Sequence, residues 1–189
     1  MASDGTAKDL GIGRGEQVLQ TDRLVICEID RADAQRFLTS ADDGDEMTSY
    51  LNALPEDVVQ DALQNTNAVL DFVRMLASLR DESDMKRYGA WNRAGDLVAC
   101  VGLTSWSTGT PELQITVAES QRRCGYATEF LQCLLPWLLQ NSDAEYIVYR
   151  LRKGNDPSEK IVQRLGGIRQ EPKSKLESLT IMTYLIYPN

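Results

Sequence analysis

Val117-Ala118-Glu119-Ser120-Gln121-Arg122-Arg123-Cys124-Gly125-Tyr126-Ala127-Thr128-Glu129 is the stretch whose reading decides the fold. On its N-terminal side, Leu113, Ile115 and Val117 alternate with Glu112, Gln114 and Thr116, the two-residue period of a half-buried strand over Glu112 to Ala118. On its C-terminal side, Ala127, Phe130, Leu131, Leu134, Leu135 and Leu138 recur at helical spacing and mark one buried face. A strand, a tight basic loop and a long helix make an anion site from backbone physics alone. The first turn of a helix leaves N–H groups unpaired, and the helix dipole places partial positive charge there. Gly125 lets the chain turn or approach a ligand closely, and Arg122 and Arg123 add charge. Together these would hold a phosphate or pyrophosphate, although two arginines before a helix equally suit a solvated surface. The segment lacks G-x-x-x-x-G-K-[ST], so it is not a Walker loop, and it lacks the Rossmann fingerprint.

Upstream, Arg87 to Asn92 and Leu97 to Ser105 flank Arg93-Ala94-Gly95-Asp96, a hairpin signal, and Thr108-Gly109-Thr110-Pro111 turns the chain into Glu112. Three strands in succession with short turns predict an antiparallel meander. Earlier still, Arg23 to Glu28 is a short β-branched run, and a helix opens at Asp30 or Arg31 and continues to about Leu38. Ser40 to Met47 is an acidic loop. From Pro55 to Leu79 the apolar residues recur at helical spacing, broken at Asn65-Thr66-Asn67, and predict two helices or one bent helix. Downstream, Pro136 interrupts the long helix and should kink or loosen its last turns. Tyr146 to Leu151 reads as a strand, Ser158 to Leu165 as a short helix ended by Gly166-Gly167, and Ile168 to Glu171 with Leu179 to Tyr187 as the last strands. The Gly-, Asp- and Lys-rich residues 1–20 read as a loose tail, and 21–189 as one domain. This order predicts an α/β fold with a mixed, mostly antiparallel central sheet flanked by helices.

Composition narrows the chemistry. With 42% apolar and 25% charged residues among 189, the chain has the mixture of a globular domain that buries a core. Its 20 Lys and Arg against 28 Asp and Glu give a net charge of −8, which disfavours wholesale binding to nucleic acid or anionic lipid. There is no histidine, which excludes Ser-His-Asp and Cys-His nucleophile systems and histidine metal sites. Cys27, Cys100, Cys124 and Cys133 contain no C-x-x-C pair and read as reduced thiols, although an even number leaves a disulfide open; no metal is expected. No apolar run approaches a membrane span of ~20 residues, and the start lacks the apolar middle of a secretory signal, so a cytoplasmic location is expected.

The quoted stretch resembles the acetyl-CoA motif of the GNAT acetyltransferases, R/Q-x-x-G-x-G/A, met by Arg122, Gly125 and Ala127. Thr21-Asp22-Arg23-Leu24 and Gly125-Tyr126-Ala127-Thr128-Glu129 are similar to the RimJ/RimL-like branch, which acetylates protein N-terminal amines and assorted small amines. Asn155-Asp156-Pro157-Ser158 followed by Arg164-Leu165-Gly166-Gly167 resembles that branch's N-x-x-S…L-G-F segment. The likeness covers about Thr21 to Gly167. Two positions depart from it: Arg123 stands where the family often has glycine, and Gly167 where it has an aromatic residue.

The resemblance implies a GNAT fold with strands splayed at the cofactor site and acetyl-CoA as co-substrate. Main-chain groups of Thr116, Val117 and Ala118 would pair with the pantetheine amides. The loop amides of Arg122, Arg123, Cys124, Gly125, Tyr126 and Ala127 would clasp the pyrophosphate, with Asn155 a further cofactor contact or a turn residue. Ser158 would hydrogen-bond the departing sulfur, with a helix cap as the competing role; the tyrosine that many relatives use as general acid is missing from the short helix. Glu112 would order a water as base, its competing role being a solvated strand-end carboxylate. Asp42, Asp43, Asp45 and Glu46 lie where the family often builds its acceptor entrance, and also suit a solvated loop. The acceptor implied is a primary amine on a peptide N-terminus or small molecule, and the chain a monomer or homodimer. The rival functions are an idle acyl-CoA-binding or regulatory module and an interaction domain with no cofactor.

Overall fold

The computed structural model describes residues 15–40, 84–173 and 175–188. The helices expected between Pro55 and Leu79 and the acidic residues Asp42, Asp43, Asp45 and Glu46 lie outside the described residues.

Strand β1 (Gln17–Gln20) pairs antiparallel with β2 (Leu24–Glu28), so the last residues of the expected tail belong to the sheet. Helix α1 (Arg31–Ser40) starts where Asp30 accepts the Asp33 N–H at 2.7 Å, the side-chain acceptor that a helix start needs. β3 (Lys86–Asn92) and β4 (Leu97–Thr104) form the expected hairpin. Asn92 accepts the Asp96 N–H through its side chain at 2.9 Å, and Gly95 takes the positive φ of 92° that closes the turn. β5 (Glu112–Val117) completes the meander against β4.

Helix α2 (Tyr126–Gln140) runs past Pro136 to Gln140. Pro136 and Gln132 are both exposed, so the carbonyl that loses its donor faces water. β6 (Ile147–Arg152), α3 (Asp156–Arg164) and the two-residue β7 (Ile168–Arg169) follow. The last segment differs from expectation: Leu179 and Thr180 end helix α4 (Lys175–Thr180) instead of opening a strand, and β8 spans Ile181–Ile186. A β-branched run hides that boundary, because Thr180 and Ile181 suit a strand equally well.

The strands form one eight-stranded sheet in the order β1-β2-β3-β4-β5-β6-β8-β7. Every pairing in it is antiparallel except β5 with β6. Two buried clusters cover its faces, as strand alternation requires. Leu24, Ile26, Tyr88, Ala90 and Val101 pack with Phe130, Leu131, Leu134 and Leu135 of α2. On the other side Cys27, Trp91, Leu97 and Cys100 pack with Ala34 and Phe37 of α1. Gly89 makes room for the indole: a Cβ there would lie 2.7 Å from the Trp91 ring.

Candidate functional site

The parallel pair sets the site. β5 and β6 register only at Glu112 with Val148 and at Leu113 with Tyr149. Beyond these, β5 continues along β4 while β6 continues along β8, so the two strands diverge toward their C-terminal ends. In open α/β sheets, ligands bind in a crevice outside the carboxyl ends of strands where the connections part. Both following helices, α2 and α3, begin at that end.

At the end of β5 the chain makes a short 3-10 turn (Glu119–Gln121), then Arg122 is extended and Arg123 enters the left-handed region at φ 64°. Gly125, at φ 82°, is the residue before α2 and lends no side-chain acceptor to the first turn. Glycine is the residue that tolerates this conformation, whereas Arg123 holds it against a steric cost of roughly 1–2 kcal/mol. This is the position at which the sequence departs from the family's glycine. Arg122, Arg123 and Cys124 are exposed, and Tyr126 and Ala127 are half-buried. Arg122 donates through Nε to the Val117 carbonyl at 3.4 Å. The start of α2 thus presents a helix N-terminus without a side-chain cap, preceded by two exposed arginines.

Thr116 and Val117 lie on the diverging part of β5. Ala118 departs from the role expected of it: its N–H donates to Val98 at 2.9 Å and its carbonyl accepts the Gln121 N–H at 2.9 Å. Its backbone N–H is thus engaged within the fold, and by strand alternation Thr116, opposite Cys100, also turns its main-chain groups toward β4; of the three residues Val117 faces the gap between β5 and β6, with its carbonyl accepting from Arg122.

At the end of β6, Asn155 caps α3. Its side chain accepts the Ser158 N–H at 3.3 Å, which corrects the reading of Ser158 as the cap. Ser158 sits inside the first turn, near the phenol of Tyr149, the residue at the apex of the divergence. Burial pushes the Tyr149 phenol up, and the Ser158 hydrogen bond offsets part of that rise. Tyr184, register partner of Tyr149, donates to Glu159 at 2.7 Å, so two tyrosines tie α3 to the sheet. Gly167 also serves this packing, since a Cβ there would lie 2.5 Å from the Val162 methyl.

Glu112 is buried, not a solvated strand-end carboxylate, and forms an ion pair with Arg150 of β6. The pair crosses between the two strands just where their pairing stops. Burial pushes the Arg150 guanidinium down, and the charge of Glu177 counters this. Glu112 thus lies in the paired part of β5 and β6, Ser158 in the first turn of α3 after β6, and the loop residues between β5 and α2.

The contacts of Arg150, Tyr149, Arg23 and Glu129 carry no motif in the sequence. A charge inside an otherwise apolar strand, as in Ile147-Val148-Tyr149-Arg150-Leu151, is the signal for Arg150, because such a group needs a buried partner. Arg23 donates through Nε to Glu129 at 2.6 Å and through Nη1 to the Cys124 carbonyl at 3.0 Å. Burial alone would raise the Glu129 carboxyl, but hydrogen bonds from Thr21 and Arg23 and the guanidinium's charge hold it below the usual carboxylate range. All four cysteines are free, and burial pushes the Cys100 and Cys133 thiols up.

The profile of the acetyltransferase (GNAT) domain matches residues 23–168, and the chain belongs to this family. Solved structures agree in fold. A RimL ribosomal L7/L12 α-N-protein acetyltransferase in complex with coenzyme A has a TM-score of 0.61 at 12% identity, over 92% of this chain and 98% of that one. Spermidine N-acetyltransferase from Vibrio cholerae, in complex with CoA and spermine, has a TM-score of 0.59 at 13% identity, over 88% and 96%. A domain from Methanocaldococcus jannaschii has 0.59 at 15% identity, over 88% and 99%. No curated protein sequence matches the chain.

Proposed function

We propose that this protein transfers the acetyl group of acetyl-CoA to a primary amine, with protein N-terminal acetylation of the RimJ/RimL type as the leading subclass. The observation that carries this reading is the glycine-capped start of α2, set beside the point where β5 and β6 part. A diphosphate would rest on the amides from Arg122 to Ala127, and the pantetheine arm would lie along β5 at Val117.

In the reaction, the uncharged amine attacks the thioester carbonyl. A carbon–nitrogen bond forms, the carbon–sulfur bond breaks, the amine loses a proton and the departing thiolate gains one. Ser158 is the candidate donor to the sulfur, with the Tyr149 phenol beside it. Glu112, paired with Arg150, suits bracing the apex of the crevice better than taking the amine's proton. With no histidine in the chain, the acceptor's own pKa then matters. At neutral pH, freeing a lysine-type amine of pKa ~10.4 costs about 4.6 kcal/mol, whereas an α-amine near ~7.8 costs roughly 1. This favours an α-amine.

The test is an acetyl-CoA assay of thiol release across α-amino peptides, lysine peptides, polyamines and aminoglycosides. The expected order follows acceptor pKa, with α-amines fastest. Faster turnover of polyamines or lysine peptides overturns the α-amine preference. Stabilisation by coenzyme A without turnover of any amine supports the idle binding module instead, and no thermal stabilisation removes the cofactor reading.

A further inference from the structure

Thr21-Asp22-Arg23-Leu24 carries a family likeness but lies far in sequence from the loop that carries the chemistry. In the fold the two meet. Thr21 Oγ1 donates to Glu129 Oε1 at 2.5 Å and accepts the Leu24 N–H at 2.9 Å, which holds the corner between β1 and β2 against α2. The Arg23 N–H also reaches Glu129 at 3.3 Å, and the guanidinium grips the other carboxylate oxygen through Nε at 2.6 Å and Nη2 at 2.5 Å. The same guanidinium lies 4.7 Å from the centre of the Tyr126 ring and donates to the Cys124 carbonyl. From the opposite side, Arg93 at the tip of the β3–β4 hairpin donates to the carbonyls of Asp22 at 2.8 Å and Thr21 at 3.3 Å.

This arrangement resolves an electrostatic conflict. Glu129 is in the first turn of α2, where a carboxylate favours the helix dipole but repels an incoming anion. Arg23 neutralises that carboxylate with a two-pronged contact. It also sets the loop's direction. In a trans peptide the carbonyl and the next N–H point opposite ways, so drawing the Cys124 carbonyl toward Arg23 turns the Gly125 N–H away from it.

We infer that Arg23 is a positioning residue for diphosphate binding: it cancels the charge of Glu129 at the start of α2 and orients the Cys124–Gly125 peptide. The inference rests on the acetyl-CoA reading above. It is tested by measuring the binding of coenzyme A, and of pantetheine, which lacks the diphosphate, to wild type, Arg23→Gln, Glu129→Gln and the double variant. Arg23→Gln should weaken coenzyme A about tenfold, because it uncovers a carboxylate beside the anion, and change pantetheine less than about twofold. The double variant should recover most of that loss, and Glu129→Gln alone should bind coenzyme A at least as tightly as wild type. Equal weakening of both ligands, unchanged coenzyme A binding by Arg23→Gln, or no recovery in the double variant overturns the inference. Where Arg23→Gln melts below the assay temperature, Arg23→Lys takes its place: it keeps the charge and loses the fork, and should weaken coenzyme A about threefold, with no loss overturning the inference. A wild type that does not bind coenzyme A overturns the acetyl-CoA reading itself, a result distinct from all of these.

Discussion

At the C-terminal ends of β5 and β6 two helices begin side by side, and their first turns are finished differently. α3 satisfies itself. Asn155 accepts the Ser158 N–H, Pro157 has no N–H to offer, and Asp156 and Glu159 place negative charge over the dipole. α2 has a glycine before its first turn, arginines ahead of it, and an acidic residue whose charge Arg23 covers. The dipole is common to both helices, but α2 lacks the side-chain cap that α3 has. What separates the two helix starts is therefore the set of side chains around them, and in the proposed reading that set suits α2 to the diphosphate.

This contrast can be sharpened by substitution. The largest expected effect is at α3: Ser158→Ala should lower turnover by up to ~10²–10⁴-fold with coenzyme A affinity little changed, measured by steady-state thiol release. An unchanged rate rejects a role at the sulfur and leaves α3 wholly structural. At α2, Gly125→Ala sets a Cβ 3.4 Å from the Arg23 Nη2 on a residue at φ 82°, which strains the start of the helix and should weaken coenzyme A about tenfold in calorimetric titration. If affinity survives, the two helix starts are not functionally distinct. The smallest effect is Asn155→Ala, which removes the α3 cap and should cost about 1 kcal/mol of stability, read as a fall of about 2–4 °C in Tm. Coenzyme A affinity should stay within about twofold if Asn155 serves as the cap alone and not as the cofactor contact that the family resemblance implies. A larger loss would move Asn155 from cap to cofactor contact.

Local structure was legible where local groups cause it. The alternation in Glu112 to Val117 became β5, Arg93-Ala94-Gly95-Asp96 became the β3–β4 turn, and Gly166 ended α3 at φ 74°. The end of the chain was less legible, because the Thr180–Ile181 boundary between α4 and β8 carries no turn residue. Burial was misread at Glu112, since a carboxylate at a strand end is ordinarily solvated, and only Arg150 across the strand gap makes its burial tolerable. Ala118 was misread for a similar reason: its N–H partner, Val98, is on a different strand.

By itself the sequence determined that a strand, a basic glycine-containing loop and a helix follow one another, and that no histidine serves the chemistry, because dihedral preference, periodicity and composition act within a few residues. The tertiary structure alone decided that β5 and β6 pair over two positions and then part, that Glu112 meets Arg150, and that Thr21 and Arg23 hold the first turn of α2. Each of these joins groups distant in the chain, and such a pairing becomes favourable only after the sheet has brought them together and excluded water from between them.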